Sequence, residues 1–236
     1  MGRLDKNERS FYSAAMPSTA APTARRRPTL PAKGTPRAAR ATKGEVTRAQ
    51  ILAAAVEQAS ASGFESLTIG TLAGRTGLSK SGLFAHFGSK LELQLAALDE
   101  AARQFTEAVF LPALKAPRGL KRLRALFEGW ISWPQRAQLP GGCPVDAASR
   151  EYQHQPGPMR DAVVERQKLL DRELRKTVQL AIETGELAPG TDPQQVVFEL
   201  FGVLLMLSRA ELVVGREEAC RRVRRAFDRL IERNSA

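Results

Sequence analysis

Cysteine and histidine are scarce in this chain: of 236 residues, two are Cys and two are His. Cys143 and Cys220 form no disulfide framework and no metal-ligand spacing. His86 and His154 lack ligand-spaced partners, so no metal site is expected. No apolar run approaches the roughly 20 residues that span a bilayer, which argues against a membrane partner. The opening MGRLDKNERS has no apolar segment of the secretory type, and the cytoplasm is the expected compartment. Alternating β-branched runs are missing too, which excludes an obvious sheet. No glycine-rich phosphate loop, metal cluster or Ser-His-Asp order stands out, so neither an enzyme nor a cofactor is expected.

What the chain does have is positive charge, +11 in formal terms, which favours a polyanionic partner. Residues 1–45 hold ten Lys and Arg against three Asp and Glu; residues 46–110 hold five against six. The first segment is also rich in Ala, Pro, Thr and Ser and shows no apolar periodicity, so it is expected to be a disordered basic tail. From Val46 the pattern becomes helical. A first helix is predicted from about Thr47 to Ser62, with Ile51, Leu52, Ala55, Val56 and Ala59 on one stripe and Gly63 at its end.

The stretch from Leu67 to Phe87, LTIGTLAGRTGLSKSGLFAHF, carries the functional signal. Thr68 can cap a short helix whose inner face is Ile69, Leu72 and Ala73. Gly77 follows four residues after Ala73, where a tight turn needs positive φ. Ser79 can cap a second short helix that buries Leu83 and Phe87 and presents Lys80, Ser81, Phe84, Ala85 and His86. Ser89-Lys-Leu-Glu92 reads as a capping box opening a long helix. A short helix with small residues on its outer face suits close approach to the DNA major groove. A helical hairpin packed inside a bundle would look similar, but two caps in register and a polar, small-residue face favour the helix-turn-helix.

The run ILAAAVEQASASGFESLTIGTLAGRTGLSKSGLFAHFGSKLELQLAALDE, within residues 46–100, resembles the N-terminal DNA-binding domain of the TetR/AcrR family of repressors. The resemblance implies a homodimer, a palindromic double-stranded DNA operator, and a C-terminal pocket whose ligand releases the DNA. It also implies that Thr68 and Lys90 touch phosphates, while Lys80, Ser81, Ala85 and His86 lie against base edges or the adjacent backbone. Phe84 stands where a Tyr is usual and Gly82 where a Thr is frequent, so two polar contacts are missing. Gly70 offers no side chain where some members place an Arg. Lys80 is then the best candidate for a guanine contact. His86 is either a DNA contact or a packing residue at the helix end.

The expected fold is all-α: residues 1–45 a tail, 46–90 a three-helix DNA-binding domain, and 91–236 a helical ligand-binding and dimerisation domain. Further helices are predicted at about Leu91–Phe110, Arg118–Trp133, Val145–Tyr152, Met159–Thr184, Pro193–Val213 and Arg216–Arg233. The segment Val196–Leu207 is apolar nearly all round and needs cover on both faces. With the stripe of the last helix it suggests a four-helix dimer interface through Phe198, Phe201, Leu205, Val223, Phe227 and Leu230. Phe105, Phe127, Trp130, Trp133, Leu174 and Met206 are candidates to line a pocket for an unknown small apolar or amphipathic ligand. Cys143, in a Gly-Gly-Cys-Pro loop, reads as a buried inert thiol. The function expected is that of a sequence-specific, ligand-released repressor. The alternative is a helical protein-interaction adaptor without specific DNA binding.

Overall fold

The structure, a computed structural model, describes residues 42–236. The expectation of a disordered tail therefore falls, up to residue 41, outside the described residues. Its last residues do not behave as a tail. Helix α1 runs Lys43–Ser62, and Thr42 caps it: Glu45 N donates to Thr42 Oγ1 and Thr42 N to the Glu45 carboxylate. This reciprocal cap satisfies donors that a free helix end would leave to water, so the helix starts a turn earlier than the apolar stripe suggested.

Helices α2 (Ile69–Thr76), α3 (Lys80–Phe87) and α4 (Lys90–Phe105) follow. Beyond α4 the backbone continues through a π-helical turn, Thr106–Phe110, and one last turn, Leu111–Ala113. Pro112 contributes no N–H to the carbonyls one turn back, and Ala108 O instead accepts from Arg136 Nη2 at 3.1 Å. Helices α5 (Leu120–Arg136), α6 (Pro144–Glu151), α7 (Pro158–Glu183), α8 (Pro193–Val214) and α9 (Arg216–Arg233) complete the chain. Among the described residues there is no strand, only a single bridge between Leu187 and Ser235. None of their helices is long and apolar enough to cross a membrane.

Two apolar clusters organise the packing. The first gathers Ile51, Leu72, Leu83 and Phe87 with Leu93, Ala97 and Leu98 of α4, with Ala148 of α6 and Tyr152 just past its end, and with Met159 and Val163 of α7. A division at residue 90 thus runs through a shared core. The second cluster lies between α4, α5 and α7–α9 and holds Phe127, Trp133, Leu174 and Phe227.

The last helix corrects the expected interface. Val223, Phe227 and Leu230 are buried within the protomer, and Phe227 stacks on Phe127 with ring centroids 4.1 Å apart. One amphipathic stripe can be covered once, and here the chain's own α8 covers it, with Phe127 of α5 stacked on Phe227. Helix α8 is different because it is apolar on two faces. Val196, Val197, Leu200, Leu204 and Leu207 point inward and are buried, while Phe198, Leu205, Met206, Leu212 and Val213 are exposed. The exposed set falls within about 120° of arc at 100° per residue.

Candidate DNA-binding face and regulatory cavity

The helix-turn-helix is fixed by local chemistry. Thr68 Oγ1 accepts from Thr71 N at 3.0 Å, and Thr68 N donates to Thr71 Oγ1 at 3.1 Å. Gly77 ends α2 in the left-handed region, φ 70°, where a side chain would strain the turn. Ser79 Oγ accepts from Gly82 N at 3.0 Å and starts α3. At α4 only half of the expected capping box forms: Ser89 Oγ accepts from Glu92 N at 3.1 Å, while Ser89 N donates to Phe87 O.

With Leu83 and Phe87 buried, α3 turns Lys80, Ser81, Phe84 and Ala85 to solvent. Thr68 and His86 are half-buried, His86 lying against Phe87 with ring centroids 6.3 Å apart. Arg48 covers the same Phe87 ring from 5.0 Å. The open face is therefore short, small-featured and bordered by Lys80 and Lys90, a shape that admits a nucleic-acid backbone.

Lys90 is not idle. Its Nζ donates to Glu65 at 2.8 Å, and the other oxygen of Glu65 accepts from Tyr152 Oη at 2.9 Å. The Lys90 and Tyr152 bonds hold Glu65 below the usual carboxylate range, and burial chiefly pushes the Tyr152 phenol up. Beside this lies a clamp. The Glu151 carboxylate, at the end of α6, accepts from Phe64 N at 2.8 Å and Glu65 N at 2.7 Å. A second joint ties Ser60, at the end of α1, to the α5–α6 loop. Gly141 N donates to Ser60 Oγ at 3.1 Å, and Ser60 Oγ donates to Gly142 O at 2.9 Å. A Cβ on Gly141 would stand 1.7 Å from Ser60 O, so no side chain fits there.

The same loop and helix border a cavity of about 480 Å³. Its apolar wall includes Phe105, Trp130, Leu170, Phe201 and Leu204; Gly142, Cys143, Val145, Asp146 and Ser149 close one side. Phe105 meets Trp130 edge-on at 5.0 Å, and Trp130 meets Phe201 at 5.9 Å. Arg166, paired with Asp99, and Arg216, paired with Glu211, stand at the polar margin. Burial pushes the Cys143 thiol up to about 12, so it is neutral at ordinary pH. Of the expected pocket residues, Phe105 and Trp130 line the cavity. Phe127, Trp133 and Leu174 are sealed in the core, and Met206 is half exposed on the outer face of α8. Phe201, expected at the dimer interface, lines the cavity instead. Among the described residues no group of three His, Cys, Asp or Glu is placed to hold a metal.

Sequence reasoning missed Glu65, Glu151 and Tyr152 because they act across 86 and 87 residues of chain. The Thr42–Glu45 cap could have been found, since Thr-x-x-Glu is its local signature.

An outward-facing second helix on a helix-turn-helix, joined to a helical domain around an apolar cavity, defines a DNA-binding regulator. The description "Bacterial regulatory proteins, tetR family" fits residues 51–97, and "Tetracyclin repressor-like, C-terminal domain" fits residues 119–227, together about two thirds of the chain. The chain belongs to the TetR family of transcriptional regulators.

It is similar to a TetR transcriptional regulator from Chloroflexus aurantiacus J-10-FL, at 26% identity over 80% of this chain and 94% of that one, with a TM-score of 0.69. Two further structures share the fold. One is AibR in complex with isovaleryl coenzyme A and operator DNA, at 22% identity, 77% and 98% coverage and a TM-score of 0.61. The other is a transcriptional regulator from Saccharomonospora viridis in complex with choline, at 19% identity, 80% and 97% coverage and a TM-score of 0.68. A comparison with curated protein sequences gave no match.

Proposed function

We propose that the protein is a cytoplasmic repressor that binds a palindromic operator as a homodimer and leaves it when a small apolar or amphipathic ligand fills the cavity. The observation that carries this reading is the open face of α3. The DNA contacts are Thr68, Lys80, Ser81, Phe84, Ala85, His86 and Lys90, with the helix in the major groove and Lys90 on phosphate. Dimerisation uses the outer stripe of α8, since an exposed apolar face of this extent favours cover by a second copy. Structures with the same fold, one holding operator DNA and isovaleryl coenzyme A and one holding choline, support a ligand-responsive reading.

Helix α6 supports a route for release. Val145, Asp146 and Ser149 border the cavity, and Glu151, on the same helix, grips the backbone ahead of α2. A ligand that displaces α6 therefore moves the helix-turn-helix. The test is selection of bound sequences from random duplex DNA, followed by titration of the winner with metabolite extracts. A symmetric site, weakened by Lys80→Ala far more than scrambled DNA is, supports the reading. Equal binding to every sequence refutes it.

A further inference from the structure

Among the aromatic rings of the helix-turn-helix half, Phe64 and Phe87 are buried, at 0% and 3% exposure, while Phe84 is 56% exposed. Among the described residues no aromatic or cationic side chain meets its ring, for both Arg48 and His86 turn to Phe87. Apart from Lys80, the face of α3 around Phe84 offers few polar side chains. Ser81 Oγ lies 3.1 Å from Ser79 Oγ, which itself accepts from Gly82 N. Ala85 brings no polar atom. At 100° per residue Phe84 lies on the flank of the face centred on Ser81 and Ala85, the side it shares with Lys80. A flanking side chain meets base edges at the side of the groove floor, where the pyrimidine 5-position lies, while the small centre lets the helix approach.

We infer that Phe84 is a specificity-determining residue that reads thymine through its 5-methyl group. This rests on the operator-binding reading above and adds what one position of the operator must be. Of the four bases, only thymine presents an apolar group on its major-groove edge. A phenylalanine that cannot donate a hydrogen bond distinguishes thymine from cytosine by that methyl alone, removing both apolar surfaces from water. Loss of one buried methyl corresponds to roughly a fourfold weaker complex, about 0.8 kcal/mol.

The experiment uses the full chain and the duplex recovered by selection from random DNA. Each thymine is replaced in turn by deoxyuridine, which pairs identically and lacks only the methyl. At one position related by the operator's symmetry, binding weakens roughly fourfold for one half-site and about fifteenfold for both. Phe84→Ala binds the thymine duplex more weakly and does not distinguish it from the deoxyuridine duplex. Phe84→Leu, which keeps an apolar tip, retains part of the discrimination. Deoxyuridine duplexes that all bind as the parent does overturn the assignment. So does a Phe84→Ala variant that keeps the full thymine-to-uracil ratio, because the methyl is then read elsewhere. Failure of selection to enrich any sequence refutes operator binding itself and takes this assignment with it. That outcome is told apart because it appears before any base is modified.

Discussion

Replacing Glu151 with alanine removes both acceptors from the joint between α6 and the segment ahead of α2. The Phe64 amide is partly buried, and its hydrogen bond to a carboxylate is of the kind that contributes about 1.5–3 kcal/mol. The Glu65 amide is exposed, so water replaces its partner and the loss there stays below about 1 kcal/mol. Glu151→Ala should therefore cost about 2–4 kcal/mol, lowering the melting temperature on the order of 10 °C for a protein of this size. Glu151→Gln should recover less than half, since its amide N–H₂ faces a backbone donor where an oxygen had accepted. Urea unfolding followed by far-ultraviolet circular dichroism measures the loss. Amide hydrogen exchange reads the joint directly, with the Phe64 amide exchanging at least tenfold faster in the variant. A loss under 0.5 kcal/mol, with unchanged exchange at Phe64, would falsify the clamp as an energetic link between the two halves.

Charge on the outer face of α8, by Phe198→Arg together with Leu205→Glu, should convert dimer to monomer in light scattering and weaken operator binding by loss of bivalency. A double variant still dimeric would move the interface elsewhere. Phe227→Arg should instead unfold the protein, because its ring is stacked on Phe127 in the core. Cys143, with its thiol pushed up to about 12, should react with iodoacetamide at neutral pH two to four orders of magnitude more slowly than an ordinary thiol. Alkylation at a free-cysteine rate, resolved by mass spectrometry of the peptide, would contradict its enclosure. Removing residues 1–41 keeps the Thr42 cap, and should flatten the dependence of log affinity on log salt by about 0.9 for each phosphate the basic segment neutralises. Sequence preference should persist, and identical salt slopes would show that this segment makes no phosphate contact.

The helices and caps of the DNA-binding half were legible because their determinants are local. Thr68, Gly77, Ser79 and Ser89 each act within a turn of their own position, and apolar periodicity shows which side of α1 or α3 is buried. Periodicity does not show what does the covering. For that reason the periodicity of Val223, Phe227 and Leu230 fitted either a partner chain or the protomer's own α8 and α5, and that of Phe127, Trp133 and Leu174 either a cavity or a core. The second apolar face of α8 was visible as a surplus, but its assignment to solvent at Phe198 and to the cavity at Phe201 depends on three-dimensional packing. Glu65, Glu151 and Tyr152 left no trace in the sequence, since a carboxylate that grips a backbone amide 87 residues away has no spacing rule.

Leu205 belongs to two surfaces at once, for it lines the cavity and also forms part of the exposed stripe on α8. If the stripe is where two copies meet, one helix is shared between the ligand's container and the subunit contact. Anything that tightens one changes the energy of the other, by equal amounts in both directions. Ligand affinity should then vary with protein concentration, and filling the first cavity should alter the second. The two halves of the operator would be vacated together, so the response to the inducing molecule would be steeper than that of two independent sites.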